Sequence, residues 1–232
     1  MRPFRVYKHI PNFITSLNLF SGCIGVLLAF QGNYQGAFIA ILLSAVFDFF
    51  DGFAARLLKA FSPMGKELDS LADVVSFGVV PGVLVFSLLS TMDINEWISY
   101  LAFLIPVFSA LRLAKFNIDE RQTSSFIGLP TPANAIFWGG LVFSYSGLLI
   151  SNAWILIGLT LVFSYLLVAE IPMFALKFKN FSWKTNKIQY LFLIGCVVIL
   201  AVFQLKAFSI LIAWYILLSI GVSSFKGQIF RG

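Results

Sequence analysis

The sequence predicts an all-α fold: a polytopic integral membrane helical bundle of about eight transmembrane helices, with both termini cytoplasmic. Of its 232 residues, 59% are hydrophobic and only 11% are charged, whereas a soluble domain carries about 25% charged residues. Several apolar runs reach about 20 residues, the length that crosses a bilayer. Spans are expected at residues 11–31, 36–58, 70–90, 96–116, 131–150, 153–175, 188–205 and 208–224.

The basic residues predict the orientation of these spans. Fifteen of the sixteen Lys and Arg residues fall before the first span, or near or beyond the ends of the second, fourth, sixth and eighth spans, and Lys206 alone falls on the other side. Because cytoplasmic loops are enriched in Lys and Arg, that side is expected to face the cytoplasm across the plasma (inner) membrane. Topology and contact with membrane lipids then account for the net charge of +6. No nucleic-acid partner is expected.

The connections between the predicted spans are short. Each is under about 15 residues, a length that leaves no room for a soluble domain. We therefore expect residues 1–232 to form a single membrane domain, with its reactive groups in the membrane or against it.

Four aspartates occupy positions where acids are unusual. Asp48 and Asp51 belong to the second apolar run, and Asp69 and Asp73 lie at the start of the third. Asp48 lies about 18 Å along its predicted helix, and an Asp at the centre of a membrane helix costs roughly 2.5–3.5 kcal/mol. Acids inside a membrane segment therefore indicate a functional site.

Helical periodicity places these four carboxylates on facing surfaces. At 3.6 residues per turn, Asp48 and Asp51 share one face of the second helix, and Asp69 and Asp73 share one face of the third. Two helices joined by a short link pack as antiparallel neighbours. The acids are therefore expected to meet across that pair of helices.

Small residues accompany the acids on the same faces. Gly52 and Ala55 follow Asp51, and Gly65 precedes Asp69 by one turn. Because these residues have little or no side chain, a bulky ligand can approach the backbone between the acids.

The grouped charges predict a metal site. Like charges in one cavity repel one another unless a cation balances them, and carboxylate oxygens favour hard cations such as Mg²⁺ or Mn²⁺. Two such ions would suit phosphoryl or phosphatidyl transfer, with Arg56 and Lys66 placed to neutralise further phosphate charge. The residues leave two alternatives open: helix-end salt bridges with Arg56, Lys59 and Lys66, or the ion or proton pathway of a transporter.

The segment from residue 48 to residue 73 also carries a specific motif. It reads D-x-x-D-G-x-x-A-R and, eight residues later, G-x-x-x-D-x-x-x-D, which resembles the signature of the CDP-alcohol phosphatidyltransferases. Residues 11–18, 111–117 and 126–135 look like the corresponding segments of the membrane-integral phosphatidylserine synthase branch of that family.

This resemblance implies a reaction and its partners. The donor would be CDP-diacylglycerol and the acceptor L-serine, giving phosphatidylserine and CMP in a cavity open to the cytoplasm, and the enzyme would be a homodimer. Asp48, Asp51 and Asp69 would hold the divalent metals, and Asp73 would contribute to the metal site or act as the catalytic base. The same chemistry with glycerol phosphate, inositol phosphate or choline as acceptor remains an alternative.

The resemblance and the motif positions together define the expected binding residues. The donor-binding set comprises Gly52, Ala55, Arg56, Gly65, Asn12 and Thr15. For Asn12, Thr15 and the neighbouring Asn18, hydrogen bonding between helices is an alternative role. The acceptor-binding set comprises Arg112, Thr131 and Asn134, although Arg112 can also extend to lipid headgroups.

Overall fold

The computed structural model confirms the all-α class that the composition predicts. It describes residues 6–119, 126–174, 176, 182–183 and 186–229. Seven of the basic residues that predict the orientation lie outside these ranges: Arg2, Arg5, Arg121, Lys177, Lys179, Lys184 and Arg231.

Helices occupy most of the described residues. The α-helices are α1 (Ile10–Phe30), α2 (Tyr34–Leu57), α3 (Pro63–Asp73), α4 (Val80–Leu89), α5 (Glu96–Ser99), α6 (Leu104–Ile118), α7 (Thr131–Leu149), α8 (Ala153–Val168), α9 (Lys187–Phe203) and α10 (Ala207–Ile229). A π-helix (Val74–Val79) joins α3 to α4, and 3₁₀ turns lie at Val6–His9, Tyr100–Phe103 and Gln204–Lys206. Two short strands, β1 (Phe126–Ile127) and β2 (Pro172–Met173), pair antiparallel.

A helical segment lies at each of the eight predicted spans. Four continuous stretches are long and apolar enough to cross a bilayer: Ile10–Phe30, Tyr34–Leu57, Pro63–Leu89 and Glu96–Ile118. The helices α8 and α9 are apolar but shorter, at 16 and 17 residues. The polytopic helical architecture is therefore confirmed, while the number of eight spans stays a prediction.

The third helical stretch begins seven residues earlier than residue 70, where its apolar run starts. Ser62 is the N-cap, because its hydroxyl oxygen accepts a hydrogen bond from the Gly65 amide at 3.0 Å, and Pro63 occupies the first helical position. Both are favoured helix-start residues. The early start adds two helical turns to the segment that carries Asp69.

The sixth span ends earlier than residue 175. Helix α8 stops at Val168, and the loop before α7 supplies partners for the backbone at and beyond this end. Leu129 N–H donates to the carbonyl of Leu166 in the last turn, and Gly128 N–H donates to the carbonyl of Ile171 after the helix. Gly128 has a φ of +78°, and a Cβ added at this position would approach the Leu167 carbonyl closely. Glycine is therefore the residue that fits where this loop passes the end of α8. Long-range hydrogen bonds, not hydropathy, set this boundary.

Helix α1 organises the half of the bundle that carries the acids. It packs along α2 and also against α3, the π-helix and α4. Its buried residues are small or polar: Pro11, Thr15, Asn18, Ser21, Gly22, Gly25 and Ala29. A Cβ on Gly22 would meet Ser76 of the π-helix, including its Cα at 3.0 Å. The helices therefore approach closely enough for short polar side chains to hydrogen-bond across the interface.

Aromatic packing joins this half to the rest of the chain. Helix α7 packs against α2, α4 and α10. Its Trp138 is fully buried, and Phe137 stacks on Phe163 of α8 with ring centroids 3.8 Å apart. The apolar core thus runs from α2 to α8 and holds the start of α7 in a fixed place.

The close contact at Gly22 predicts a large difference between two glycine substitutions. Gly22→Ala should lower the free energy of unfolding by about 1–3 kcal/mol, because the added methyl forces α1 away from the π-helix. Gly158→Ala, in α8, adds a methyl that meets nothing within 4 Å and should be neutral or stabilising by up to about 1 kcal/mol. Thermal unfolding in detergent measures both, and equal midpoints would contradict the close packing of α1.

Candidate active site

Three of the four predicted acids converge. The carboxylate oxygens of Asp48, Asp51 and Asp69 include atoms that all lie within 4.8 Å of one another. Asp51 is buried at 6% exposure, and the other two are half-buried. Asp73 is also buried but is not part of this group of three. The predicted facing of α2 and α3 therefore brings the acids together.

Helix α1 supplies the hydrogen-bond donors for two of these acids. The Thr15 hydroxyl donates to Asp51 Oδ2 at 2.7 Å, and Asn18 Nδ2 donates to Asp73 Oδ1 at 3.2 Å. The Asn18 carbonyl in turn accepts hydrogen bonds from the hydroxyls of Ser44 and Ser76, both at 3.1 Å. These bonds tie α2 and the π-helix to the helix that orients the acids.

The bond from Asn18 to Asp73 is a contact that sequence reasoning missed. The three-residue spacing of Thr15 and Asn18 indicated a shared helical face, and hydrogen bonding between helices was one predicted role for it. Spacing on one helix does not reveal which acid that face meets. The structure shows that Thr15 contacts an acid of α2, while Asn18 contacts the acid that ends α3.

A cavity of about 210 Å³ opens beside the three acids. Its lining residues are Pro11, Asn12, Thr15, Asp51, Gly52, Ala55, Ala60, Phe61, Ser62, Gly65, Lys66 and Asp69. Five of the six predicted donor-binding residues are among them. A Cβ on Gly52 would meet nothing within 4 Å, whereas one on Gly65 would lie 2.9 Å from Asn12 Oδ1. The glycines therefore keep the cavity open on the α2 side and admit Asn12 on the α3 side.

Arg56 is the predicted donor-binding residue that does not line this cavity. Its side chain is exposed, and its Nε donates to the Gly52 carbonyl at 3.0 Å. Among the described residues, Lys66 is the only Lys or Arg that lines the cavity.

The predicted acceptor residues form a second, buried set. Arg112, Thr131 and Asn134 are 7%, 0% and 0% exposed. The Arg112 guanidinium lies 4.9 Å from the centre of the Phe116 ring and interacts electrostatically with Asp73. None of the three lines the cavity described above.

Several polar atoms of this second set have no hydrogen-bond partner among the described residues. They are Arg112 Nε, Thr131 Oγ1 and both amide heteroatoms of Asn134. An unsatisfied buried polar group costs roughly 1–3 kcal/mol, so these atoms need a partner of another kind. A polar ligand or water at the start of α7 would provide one.

The acid cluster fits a divalent cation. None of the four aspartates forms an ion pair with a Lys or Arg within the described part of the chain, so the salt-bridge alternative does not account for them. Asp69 Oδ1 is buried without a hydrogen-bond partner there. Carboxylate oxygens are the ligands that Mg²⁺, Mn²⁺ and Ca²⁺ favour, and a bound cation would satisfy both the charge and the orphaned oxygen.

Comparison with known proteins supports the same chemistry. The sequence model of the CDP-alcohol phosphatidyltransferase family matches residues 8–169, which include every acid of the cluster. A CDP-diacylglycerol–serine O-phosphatidyltransferase of Bacillus subtilis (strain 168) is 38% identical over 176 residues, covering 75% of this chain and 92% of that protein.

Two archaeal proteins are similar over shorter segments. The protein of Methanocaldococcus jannaschii with the same name is 37% identical over 66% of this chain and 70% of its own length. The archaetidylserine synthase of Methanothermobacter thermautotrophicus is 36% identical over 55% of this chain and 54% of its own length. With its motif acids converging beside a cavity and its sequence matched from residue 8 to residue 169, the chain belongs to the CDP-alcohol phosphatidyltransferase family.

Proposed function

We propose that this membrane enzyme transfers a phosphatidyl group from CDP-diacylglycerol to L-serine, producing phosphatidylserine and CMP. The observation that carries the proposal is the convergence of three motif carboxylates beside a cavity with a lysine in its wall. The names of the relatives support serine as the acceptor.

The acids are assigned to metal binding. Family members generally depend on a divalent metal, and we assign Asp48, Asp51 and Asp69 to two Mg²⁺ or Mn²⁺ ions, with Asp73 beside them. When bound, such ions neutralise phosphate charge and stabilise the leaving phosphate. The 4.8 Å grouping of the three carboxylates supports this assignment.

The cavity is assigned to the cytidine diphosphate part of the donor. Asn12, Thr15 and Gly65 would line its α1 and α3 sides, and Gly52 and Ala55 would let the nucleotide lie against α2. Arg56 would act from outside the cavity, where its bond to the Gly52 carbonyl fixes the backbone against which the nucleotide rests. The positive charge of Lys66 would lie near the diphosphate.

Asp73 is assigned as the base that activates the acceptor. A serine hydroxyl is a weak nucleophile at neutral pH and needs a positioned group to accept its proton. Because Asn18 donates to Asp73 Oδ1, the other carboxylate oxygen is available for that proton. The hydroxyl oxygen then forms a bond to the β-phosphorus of the donor, the bond from that phosphorus to the CMP oxygen breaks, and CMP leaves.

Transfer is expected to be direct. Ser62 lines the cavity, but its hydroxyl oxygen is engaged as the N-cap of α3. The cavity lining contributed by the described residues includes no Cys or His. A covalent enzyme intermediate is therefore not part of the proposal.

Arg112, Thr131 and Asn134 are assigned to the acceptor. L-serine carries a carboxylate, which suits a guanidinium, and an ammonium, which suits hydroxyl and amide oxygens. The atoms of these three residues that lack hydrogen-bond partners among the described residues support the assignment, as does the electrostatic interaction of Arg112 with Asp73.

An assay with a panel of acceptors tests the reaction. The purified protein is incubated in nanodiscs with CDP-diacylglycerol and Mn²⁺, separately with L-serine, glycerol phosphate, inositol phosphate and choline. CMP release with serine alone is the expected result. CMP release with another alcohol would identify that alcohol as the acceptor in place of serine. No CMP release with any alcohol, together with ion flux in vesicles, would show that the protein is a transporter.

Replacing one acid should separate catalysis from folding. Asp51→Asn should lower kcat by at least about 100-fold, because a charged ligand of the metal site is lost. It should also abolish the rise in Tm that Mn²⁺ gives the unmodified protein. Glu67→Gln, at an exposed position of the neighbouring helix α3, is the control that should change neither; full activity of Asp51→Asn would argue against metal binding there.

The acceptor assignment predicts a selective change in KM. Asn134→Ala should raise the KM for serine about tenfold and leave the KM for CDP-diacylglycerol unchanged, because it removes hydrogen bonds made only to the acceptor. Ser144→Ala, on the same helix, removes a buried hydroxyl that likewise has no partner among the described residues, and it should alter neither constant. Equal changes in both substrates' KM values would count against an acceptor site at the start of α7.

The catalytic cavity is proposed to face the cytoplasm from the plasma (inner) membrane, with both termini on that side. In a variant without Cys23 and Cys196, we place single cysteines at Met64 and Trp97, which are 70% and 79% exposed. A membrane-impermeant maleimide should label Trp97→Cys in intact spheroplasts and Met64→Cys only after lysis. The reverse pattern would invert the proposed topology.

The enzyme is also proposed to act as a homodimer, as the family resemblance implies. Its protein mass in detergent should then be twice the 25.8 kDa of one chain. Light scattering coupled to gel filtration measures that mass, and a value for a single chain would reject the dimer.

A further inference from the structure

Three polar residues close a ring of hydrogen bonds between α3 and α6. The Lys66 ammonium donates to the Asn117 carbonyl at 3.0 Å, and Asn117 Nδ2 donates to the Ser70 hydroxyl oxygen at 2.8 Å. The Ser70 hydroxyl donates back to the Lys66 carbonyl, one turn earlier on α3, at 3.3 Å. Each of the three residues thus both donates and accepts, and the ring spans two helices that are distant in sequence.

The Asn117 carbonyl is a favourable place for an ammonium group. It belongs to the last turn of α6, which ends at Ile118, and the last carbonyls of a helix have no partner within the helix. The negative end of the helix dipole also attracts a cation. Lys66 therefore satisfies an orphaned carbonyl while the side chain of Asn117 holds α3 at the distance that this bond requires.

The position of Lys66 gives the ring a functional consequence. Within the part of the chain that the structure describes, it is the only Lys or Arg that lines the cavity beside the acids, although its side chain is exposed overall. An exposed lysine is ordinarily free to adopt many rotamers. One hydrogen bond to α6 restricts it, and two of its three ammonium hydrogens remain available for a ligand.

We propose that Ser70 and Asn117 are positioning residues that hold the Lys66 ammonium at the cavity wall, ready to contact the diphosphate of a nucleotide-linked lipid. This inference rests on the proposed function for the identity of the donor. It assigns no contact with substrate to Ser70 or Asn117. Their effect on the ligand is exerted through Lys66, because a cation that is already in place loses less freedom when the phosphate binds.

If the ring only stabilised the packing of α3 on α6, its loss would affect stability; a positioning role predicts a change in the kinetic constants. Loss of either ring residue should raise the KM for CDP-diacylglycerol about three- to tenfold, the effect of one hydrogen bond, with kcat within twofold of the unmodified enzyme. Once Lys66 is replaced, the ring has nothing to position. Asn117→Ala should then have no further effect on that KM in a Lys66→Gln background.

The experiment uses the full chain in nanodiscs and measures kcat and KM for Ser70→Ala, Asn117→Ala, Lys66→Gln and the double variant Lys66→Gln/Asn117→Ala. Ser70→Thr keeps the hydroxyl and should retain the original KM. Ser90→Ala is the matched control, because the Ser90 hydroxyl makes the same kind of bond to a carbonyl one turn earlier at a position far from the ring. It should leave both constants unchanged.

Binding of CDP, measured by titration calorimetry on the same samples, tests the positioning role of the ring independently of the transfer reaction. Weaker CDP binding in the ring variants supports the positioning role even if no alcohol yields CMP, a result that would defeat only the proposed function. Unchanged KM and CDP affinity in an active enzyme would overturn the inference alone. An additive effect of Asn117→Ala in the Lys66→Gln background, or a fall in Tm with no change in KM, would also overturn it.

Discussion

Asp48, Asp51 and Asp69 place their carboxylates within a few ångströms of one another in a bundle whose core is largely apolar. Their mutual repulsion has to be balanced for the bundle to be stable with all three ionised, and no Lys or Arg among the described residues pairs with them. A bound cation would supply the balancing charge, and this is why the arrangement of α2 and α3 supports the proposed metal site.

Helix α1 makes that arrangement possible. Thr15 and Asn18 donate to acids on two different elements, and the Asn18 carbonyl receives hydroxyls from two more positions. The close approach at Gly22 brings the helices near enough for these short side chains to reach. The interface that stabilises this half of the bundle is therefore the same interface that orients the acids.

The polar residues assigned to the substrates form two sets. One lines the cavity, with the Lys66 ring in its wall. The other comprises Arg112, Thr131 and Asn134, which are buried with polar atoms that lack partners among the described residues; of these, Arg112 interacts electrostatically with Asp73. Helix α6 contributes to both sets, since it carries Arg112 and also ends at the ring. A rigid α6 would keep Arg112 and the ring at a constant separation, which a transfer between two bound substrates requires.

The sequence by itself determined the class of the fold and the members of the acid cluster. Hydropathy over about 20 residues identifies helices in a bilayer, and a spacing of three or four residues fixes which side chains share a face. Both are local properties, so the meeting of Asp48 and Asp51 with Asp69 was predictable once a short link joined their helices. Five of the six residues predicted to bind the donor line one cavity, and their role in donor binding stays a prediction.

Only the tertiary structure decided the contacts between distant segments. The bond from Asn18 to Asp73, the ring that joins Lys66 to Asn117 and the end of α8 at Val168 all depend on partners 37 or more residues away in the chain. Periodicity on one helix describes the face that it presents but carries no information on the helix that covers it. Hydrogen bonds across those interfaces depend on the approach of one helix to another, and that approach is fixed only when the whole bundle packs.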